Sequence, residues 1–146
     1  MAVNKVTGMR VDEIFDLVDK AKSRKDKIEV LKKYNNRAIR DVLKGAFDSS
    51  IEFNLPEGAP PYTPGSEISY PSSLMKQTKK FHYFVRKADT RVAQAKVEMI
   101  FIKILESIHP KEAEILVLMK DKNLDGKYKG LTKKLVQDVF PGLISQ

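Results

Sequence analysis

The chain has 146 residues and no cysteine, and its 27 Lys and Arg against 19 Asp and Glu give a formal net charge of +8. This length fits a single domain, 1–146, and the lack of cysteine excludes disulfides and thiolate metal sites. No apolar run approaches the roughly 18 residues that a membrane span needs, and the N-terminus lacks the apolar core of a signal peptide. We therefore expect a cytoplasmic protein whose charge favours polyanionic partners, nucleic acid first.

The charge is distributed unevenly along the chain. Residues 20–44 hold ten basic and three acidic side chains, and residues 74–105 hold eight basic and two acidic ones. Residues 45–75 contain four acidic side chains and no Lys or Arg. This distribution predicts basic helical parts and one neutral-to-acidic loop.

Helical spacing of apolar residues predicts three helices in the first third of the chain. The first covers 10–22, Ser23 caps the second, and the third follows the turn at 34–36. Their inward positions are Val11, Ile14, Phe15, Leu17, Val18 and Ala21, then Ile28 and Leu31, then Ile39, Val42, Leu43, Ala46 and Phe47. Gly45 within the third helix predicts a close helix crossing.

A proline-rich segment, PEGAPPYTPGSEISYP (56–71), interrupts the helical pattern and contains five of the seven prolines. Proline lacks the amide proton and fixes φ, so we expect a long loop rather than a helix or a central strand. The apolar run IEFNL just before it predicts a short extended piece. Tyr62 and Tyr70 are the candidate partner-binding residues of the loop.

Four more helices are predicted after the loop. Ser72 or Ser73 caps the first, the longest runs from about 90 to 108, Pro110 begins the third, and Thr132 caps the last. The inward positions of the first are Leu74, Met75, Thr78, Phe81, Phe84 and Val85. The run EILVLM makes the third helix apolar on nearly all sides, which predicts a central position. The sequence thus predicts an all-α fold, a compact bundle of about seven helices.

The segment MKDKNLDGKYKGLTKKLV (119–136) is compatible with three kinds of chemistry. The first is nucleotidyl transfer, in which a nucleophilic lysine stands in the motif K-x-D-G. Lys122 and Asp125 are one residue too far apart for that motif, and no predicted strands follow to build a nucleotide pocket. This interpretation is therefore set aside.

A calcium loop is the second interpretation of the same segment. Asp121, Asn123, Asp125 and Gly126 match positions 1, 3, 5 and 6 of an EF-hand loop. The last position, however, holds Thr132 instead of a bidentate glutamate, and three lysines surround the loop. The pattern predicts a weak calcium site at best, and we expect neither a bound metal nor a cofactor.

A phosphate-contacting surface is the third interpretation, and the one that we favour. Its candidate residues are Lys120, Lys122, Lys127, Lys129, Gly130, Thr132, Lys133 and Lys134. Gly126 and Gly130 would let the backbone approach a polyanion closely, and Thr132 would begin a helix whose N-terminus attracts phosphate.

The remaining motifs give no indication of catalysis. His109, which precedes Pro110, is interpreted as a helix cap, and His82 as a residue that packs at the surface or at the edge of the core. The sequence contains no Walker loop, no G-x-S-x-G and no carboxylate pair with a plausible cleft. We therefore expect a protein that is not an enzyme.

Two stretches, RKDKIEVLKKYNNRAIRDVLKGAFDSSIEF (24–53) and MKDKNLDGKYKGLTKKLVQDVFPGLI (119–144), resemble parts of the N-terminal DNA-binding domain of tailed-phage ATP-dependent DNA ligases. In those ligases an all-helical domain grips duplex DNA around a nick, mainly through the backbone in the minor groove. The resemblance implies that such a surface contains Lys120, Lys127, Lys129, Gly130, Thr132 and Lys133. Because the chain ends at Gln146, where a ligase continues into its nucleotidyltransferase domain, it also implies a binding module without catalysis.

The whole chain also resembles a small family of unassigned function that large tailed phages carry, with LPEGAPPYTP and YKGLTKKLV…FPGLI as its signatures. Our preferred hypothesis is a non-enzymatic protein that binds the DNA duplex backbone, largely independently of sequence. The alternative is an adaptor that docks to a host protein, or to a replication or transcription protein, through Tyr62 and Tyr70 of the acidic proline-aromatic loop.

Overall fold

The structure, a computed structural model, describes residues 9–66, 68, 70–85 and 93–144. Within these ranges it is all-helical, as the sequence predicts, with eight α-helices, one 3-10 helix and no β-strand. The elements are α1 (Val11–Lys20), α2 (Arg24–Lys33), α3 (Arg37–Phe47), α4 (Leu74–Gln77), a 3-10 helix (Thr78–Tyr83), α5 (Gln94–Ser107), α6 (Pro110–Lys120), α7 (Leu124–Lys127) and α8 (Lys133–Val139).

The helix count exceeds the predicted seven for two local reasons. The helix expected after Ser73 divides into α4 and the 3-10 helix, and α7 is an additional short turn of helix. The predicted start of the longest helix, 90–92, lies outside the described residues, and α5 is described from Gln94. None of the helices in the described ranges combines the length and the apolar character that crossing a bilayer requires.

Short polar side chains fix where several helices begin. Ser23, Ser73 and Thr132 each accept a hydrogen bond from the backbone amide three residues later, at the starts of α2, α4 and α8. Asn36 does the same for α3. These bonds satisfy amides that have no partner within the helix. The caps predicted at Ser23 and Thr132, and the Ser73 choice at α4, are therefore confirmed.

The helix α6 lies at the centre of the bundle, where it contacts α1, α3, α5 and α7. Its buried apolar side chains are Ala113, Ile115, Leu116 and Met119. The central position predicted from its sequence is therefore confirmed. Helix α3 approaches it closely at Gly45, where an added Cβ atom would lie only 2.8 Å from the sulfur of Met119.

The predicted apolar stripes form one hydrophobic cluster. Phe84 and Phe101 meet edge to face within it, with 5.4 Å between their ring centroids. The inward position predicted for two residues is wrong, since Leu17 is 37% exposed and Met75 is 45% exposed. Both belong to stripes inferred from spacing alone, and positions at the edge of such a stripe remain in water when the packed face is narrower.

The described residues of the segment 56–71 contain no helix and are held against the helices by hydrogen bonds. The backbone amide of Gly58 donates to Asp121, and that of Thr63 donates to Glu106. Just before this segment, Phe53 forms an isolated antiparallel bridge with Val85.

Candidate nucleic-acid interface

The segment 119–136 begins where α6 ends. The amide of Lys122 donates to the carbonyl of Met119 at 3.1 Å, and that of Asn123 donates to Leu118 at 2.9 Å. These two bonds form a Schellman cap, which requires a left-handed residue after the helix. Lys122 occupies that position with φ of +59°, where glycine is the usual residue.

Lys120 is an internal anchor. Its side chain is 2% exposed, and its ammonium donates to the carbonyls of Pro56 and Gly58 at 2.8 and 2.7 Å and to Asp121 Oδ1 at 2.6 Å. An ammonium with three partners inside the protein cannot also contact phosphate. The assignment of Lys120 to the phosphate surface is therefore wrong, because its charge holds the proline-rich segment in place.

Lys122 also directs its amine toward the protein. The amine donates to the carbonyls of Gly45 and Asp48 at the end of α3, and it lies 5.4 Å from the centroid of the Phe53 ring. Burial lowers the pKa of Lys122, and the carboxylates of Asp48 and Glu52 oppose that shift. Cations at helix C-termini are stabilising, so Lys122 serves as a cap of α3 and leaves the predicted phosphate surface.

The two glycines make close contacts within the chain itself. Gly126 lies inside α7, where an added Cβ atom would meet the side chain of Asn123. The amide of Gly130 donates to Asp19 Oδ1 at 3.0 Å, and an added Cβ atom there would lie 2.8 Å from the Lys27 amine. The sequence predicted that the backbone at Gly130 approaches a polyanion closely. In the structure, the backbone at Gly130 closely approaches the corner between α1 and α2.

Lys27 stabilises the same corner from the other side. Its amine donates to the carbonyls of Val18 and Ala21 at 3.0 and 2.7 Å. These carbonyls lie at the C-terminal end of α1, where the usual helical partners run out, although that of Val18 also accepts from the Ala21 amide at 3.3 Å. Lys27 is therefore occupied as a cap, and Gly130 packs against its side chain.

Helix α8, which begins with Lys133 and Lys134, packs against α2. Arg24 forms an ion pair with Asp138 of α8, and the amine of Lys134 lies 3.9 Å from the same carboxylate. This junction brings together two stretches that are far apart in sequence. We use the name basic face for Arg24 and Lys134 of this junction together with the cations that neighbour them in the sequence, which are Lys22, Lys25, Lys129 and Lys133.

The basic face is open to solvent, and its six cations outnumber the neighbouring carboxylates Asp19, Asp26 and Asp138. Its six side chains are exposed, except for Lys133, which is half-buried. Among the residues that the structure describes, Asp138 is the one carboxylate that forms ion pairs with them. Charge counting identifies residues 20–44 as basic, but nothing in the sequence indicates that Arg24 pairs with α8.

Lys127 has contacts with α6 and with its neighbour Tyr128. Its amine forms an ion pair with Glu114 of α6 at 2.7 Å and lies 5.6 Å from the centroid of the Tyr128 ring. Both members of the pair are substantially exposed, with 41% of the Lys127 side chain and 55% of the Glu114 side chain in contact with solvent. Such surface pairs are weak, so Lys127 is an accessible cation that lies beside α6.

The residues of the calcium interpretation do not assemble into a ligand set. Asp121 accepts hydrogen bonds from Lys120 and from the Gly58 amide. The helical turn α7 begins at Leu124, in the middle of the predicted calcium loop. Within the described ranges, no three His, Asp or Glu side chains are grouped closely enough to hold a metal ion.

The two tyrosines of the alternative hypothesis already have contacts within the chain. Tyr62 is half-buried against the hydrophobic cluster, and its burial, together with the charge of Glu114, raises the pKa of Tyr62. Tyr70 meets the ring of His109 edge-on at 5.3 Å between centroids. His109 Nδ1 accepts from the amide of Lys111 at 3.1 Å, which confirms the predicted cap of α6.

Comparison with known proteins places the chain in a family without supplying an activity. Residues 14–126, most of the chain, match a family described as a family of unknown function (DUF6433). No curated protein and no solved structure matches the chain.

Proposed function

The chain belongs to DUF6433, a family of unknown function, and we propose from its basic face that it binds DNA through the phosphate backbone. The observation that carries the proposal is the Arg24–Asp138 pair, which joins the start of α2 to α8. In this proposal the protein is not an enzyme, and it binds DNA largely independently of the base sequence.

The chemistry of the basic face suits phosphate better than base edges. A lysine ammonium is a point charge on a flexible stem, whereas reading a base depends on hydrogen bonds in fixed geometry. Five of the six cations of the face are lysines. Neutralising phosphates releases condensed counterions, and this supplies affinity for any sequence.

The resemblance to phage DNA ligases supports duplex DNA as the polyanion. Lys129 and Lys133 belong both to the ligase-like segment and to the basic face. Lys120, which the resemblance also implied, is buried and is not part of the proposal. Arg24 and Lys25 take its place, since they lie at the start of the other ligase-like stretch.

The proposal is tested by fluorescence anisotropy with labelled duplex, nicked duplex and single-stranded DNA of equal length over a series of salt concentrations. If four to six cations contact phosphate, log K should fall against log salt with a slope of about −4 to −5 on the duplexes. A lack of binding to all three DNAs at about 50 mM salt would overturn the proposal.

A charge-reversal pair assigns the binding to the basic face. Lys129→Glu with Lys133→Glu should weaken duplex binding by at least about tenfold and make the salt slope shallower by about 2. The control is Lys96→Glu with Lys103→Glu, two exposed residues of α5 that give the same change in net charge. Circular dichroism should show unchanged helicity in both. If the control weakens binding as much as the test pair does, the basic face is not the site.

A further inference from the structure

A cavity of about 380 Å³ lies between the proline-rich segment and α5. Its walls are mostly apolar, and the side chains that matter for its chemistry are Leu55, Pro60, Pro61, Phe101 and Ile102. Two carboxylates, Glu57 and Glu98, complete the lining. We use the name loop cavity for this space, which shares no residue with the basic face.

Hydrogen bonds to the backbone of the proline-rich segment keep the loop cavity open. The buried amine of Lys120 binds the carbonyls of Pro56 and Gly58, and Asp121 accepts from the Gly58 amide. Just before the segment, the carbonyl of Asn54 accepts a hydrogen bond at 2.9 Å from the side-chain amide of Gln94, the first residue of α5. Prolines further restrict the backbone. A preformed cavity of this size lies within the range of ligand sites, and binding need not include the cost of opening it.

The charge around the loop cavity is negative, although the whole chain carries +8. Glu57 is exposed and Glu98 is half-buried, and residues 45–75 contain no Lys or Arg. The one cation of the lining, Lys120, is paired with Asp121 at 2.6 Å and is occupied by the two carbonyls. The cavity therefore offers an apolar interior together with unneutralised carboxylates.

We propose that the loop cavity binds a peptide segment of a partner protein that inserts a Leu, Phe or Trp side chain next to a Lys or Arg. The inserted side chain removes apolar surface of Leu55, Pro61 and Ile102 from water, which is the main favourable contribution. The neighbouring cation meets Glu57 and Glu98, and this charge complementarity selects basic over acidic sequences. The inference goes beyond DNA binding and does not depend on it.

The test is an NMR titration of the full chain with isotope-labelled methyl groups, using three tripeptides. Acetyl-Lys-Trp-Lys-amide should shift the methyl resonances of Leu55 and Ile102 in a saturable way. Acetyl-Glu-Trp-Glu-amide lacks the cations and acetyl-Lys-Ala-Lys-amide lacks the large apolar group, so each should bind at least about tenfold more weakly. Equal binding of the acidic peptide, shifts confined to other residues, or no shift up to about 10 mM peptide would overturn the proposal.

A single charge reversal tests whether Glu57 selects basic over acidic peptides. Glu57→Lys should abolish the preference for the Lys-Trp-Lys peptide over the Glu-Trp-Glu peptide. Glu29→Lys is the matched control, because Glu29 is an exposed residue of α2 and its reversal changes the net charge by the same amount. The control should keep the wild-type preference. If Glu57→Lys keeps that preference too, Glu57 does not select the ligand and the proposal fails.

Discussion

The buried carboxylate of Glu112 accepts a hydrogen bond from the backbone amide of Val11 at 3.1 Å, across 101 residues of sequence. Its other oxygen accepts from the amide of Leu74 at 3.2 Å. Val11 is the first residue of α1, Leu74 is the first residue of α4, and Glu112 lies in the first turn of α6. Three helix N-termini, each with partial positive charge, therefore converge on one carboxylate.

Glu112 should make stability depend on pH. Burial raises the pKa of Glu112, and the hydrogen bonds from the amides of Val11 and Leu74 offset the shift only in part. The folded state therefore binds this proton more tightly than the unfolded chain does. The resulting stabilisation is complete below the unfolded pKa and is lost as the pH rises through the folded pKa.

We expect the free energy of unfolding of the wild type, measured relative to Glu112→Gln, to decrease as the pH rises from about 4 to about 7. Urea unfolding of both proteins at a series of pH values measures this difference. A difference that stays constant with pH would show that Glu112 titrates alike in both states.

Lys120→Met should destabilise the protein and loosen the proline-rich segment. The change removes three hydrogen bonds of a buried ammonium and leaves Asp121 with the Gly58 amide but without its cationic partner, so we expect a loss of about 3 kcal/mol in the free energy of unfolding. Hydrogen exchange of peptides covering 56–66 should become faster. Lys111→Met, at an exposed position of the same helix, is the control and should change neither quantity. Wild-type exchange rates in Lys120→Met would contradict the anchoring role.

Two substitutions of Lys122 separate its backbone strain from its side-chain bonds. Both Lys122→Ala and Lys122→Gly lose the bonds to Gly45 and Asp48, but only glycine adopts a φ of +59° without strain. We therefore expect Lys122→Gly to be more stable than Lys122→Ala by about 1 kcal/mol. Thermal or urea unfolding measures the difference. Equal stability of the two variants would mean that the left-handed conformation is not maintained in solution.

Gly130→Ala tests whether that glycine serves packing or DNA. The added methyl group would displace the Lys27 amine from the end of α1, at a cost of about 1 kcal/mol in the free energy of unfolding. The cost should be smaller in a Lys27→Ala background, and a double-mutant cycle measures this coupling. If Gly130→Ala instead weakens DNA binding without changing stability, the glycine approaches DNA, as the sequence first indicated.

Local features were predictable because their causes lie within a few residues. Ser23 and Thr132 cap helices through amides three residues away, and His109 caps α6 through the amide two residues away. The apolar run of α6 implied its central position for the same reason, since the apolar content of a short run is a local property. The pattern was less reliable at Leu17 and Met75, where only the packed neighbours define which edge of a helix is buried.

The sequence by itself determined the all-α fold class, most helix starts and the existence of basic segments, because these depend on periodicity, capping and composition. Only the tertiary structure decided which lysines are free. Lys120 finds its carbonyl partner 64 residues away, Lys122 finds one 77 residues away, and Arg24 meets Asp138 across 114 residues. A lysine has the same side chain in every position, so whether it contacts solvent or a carbonyl depends on the distant segment that packs beside it.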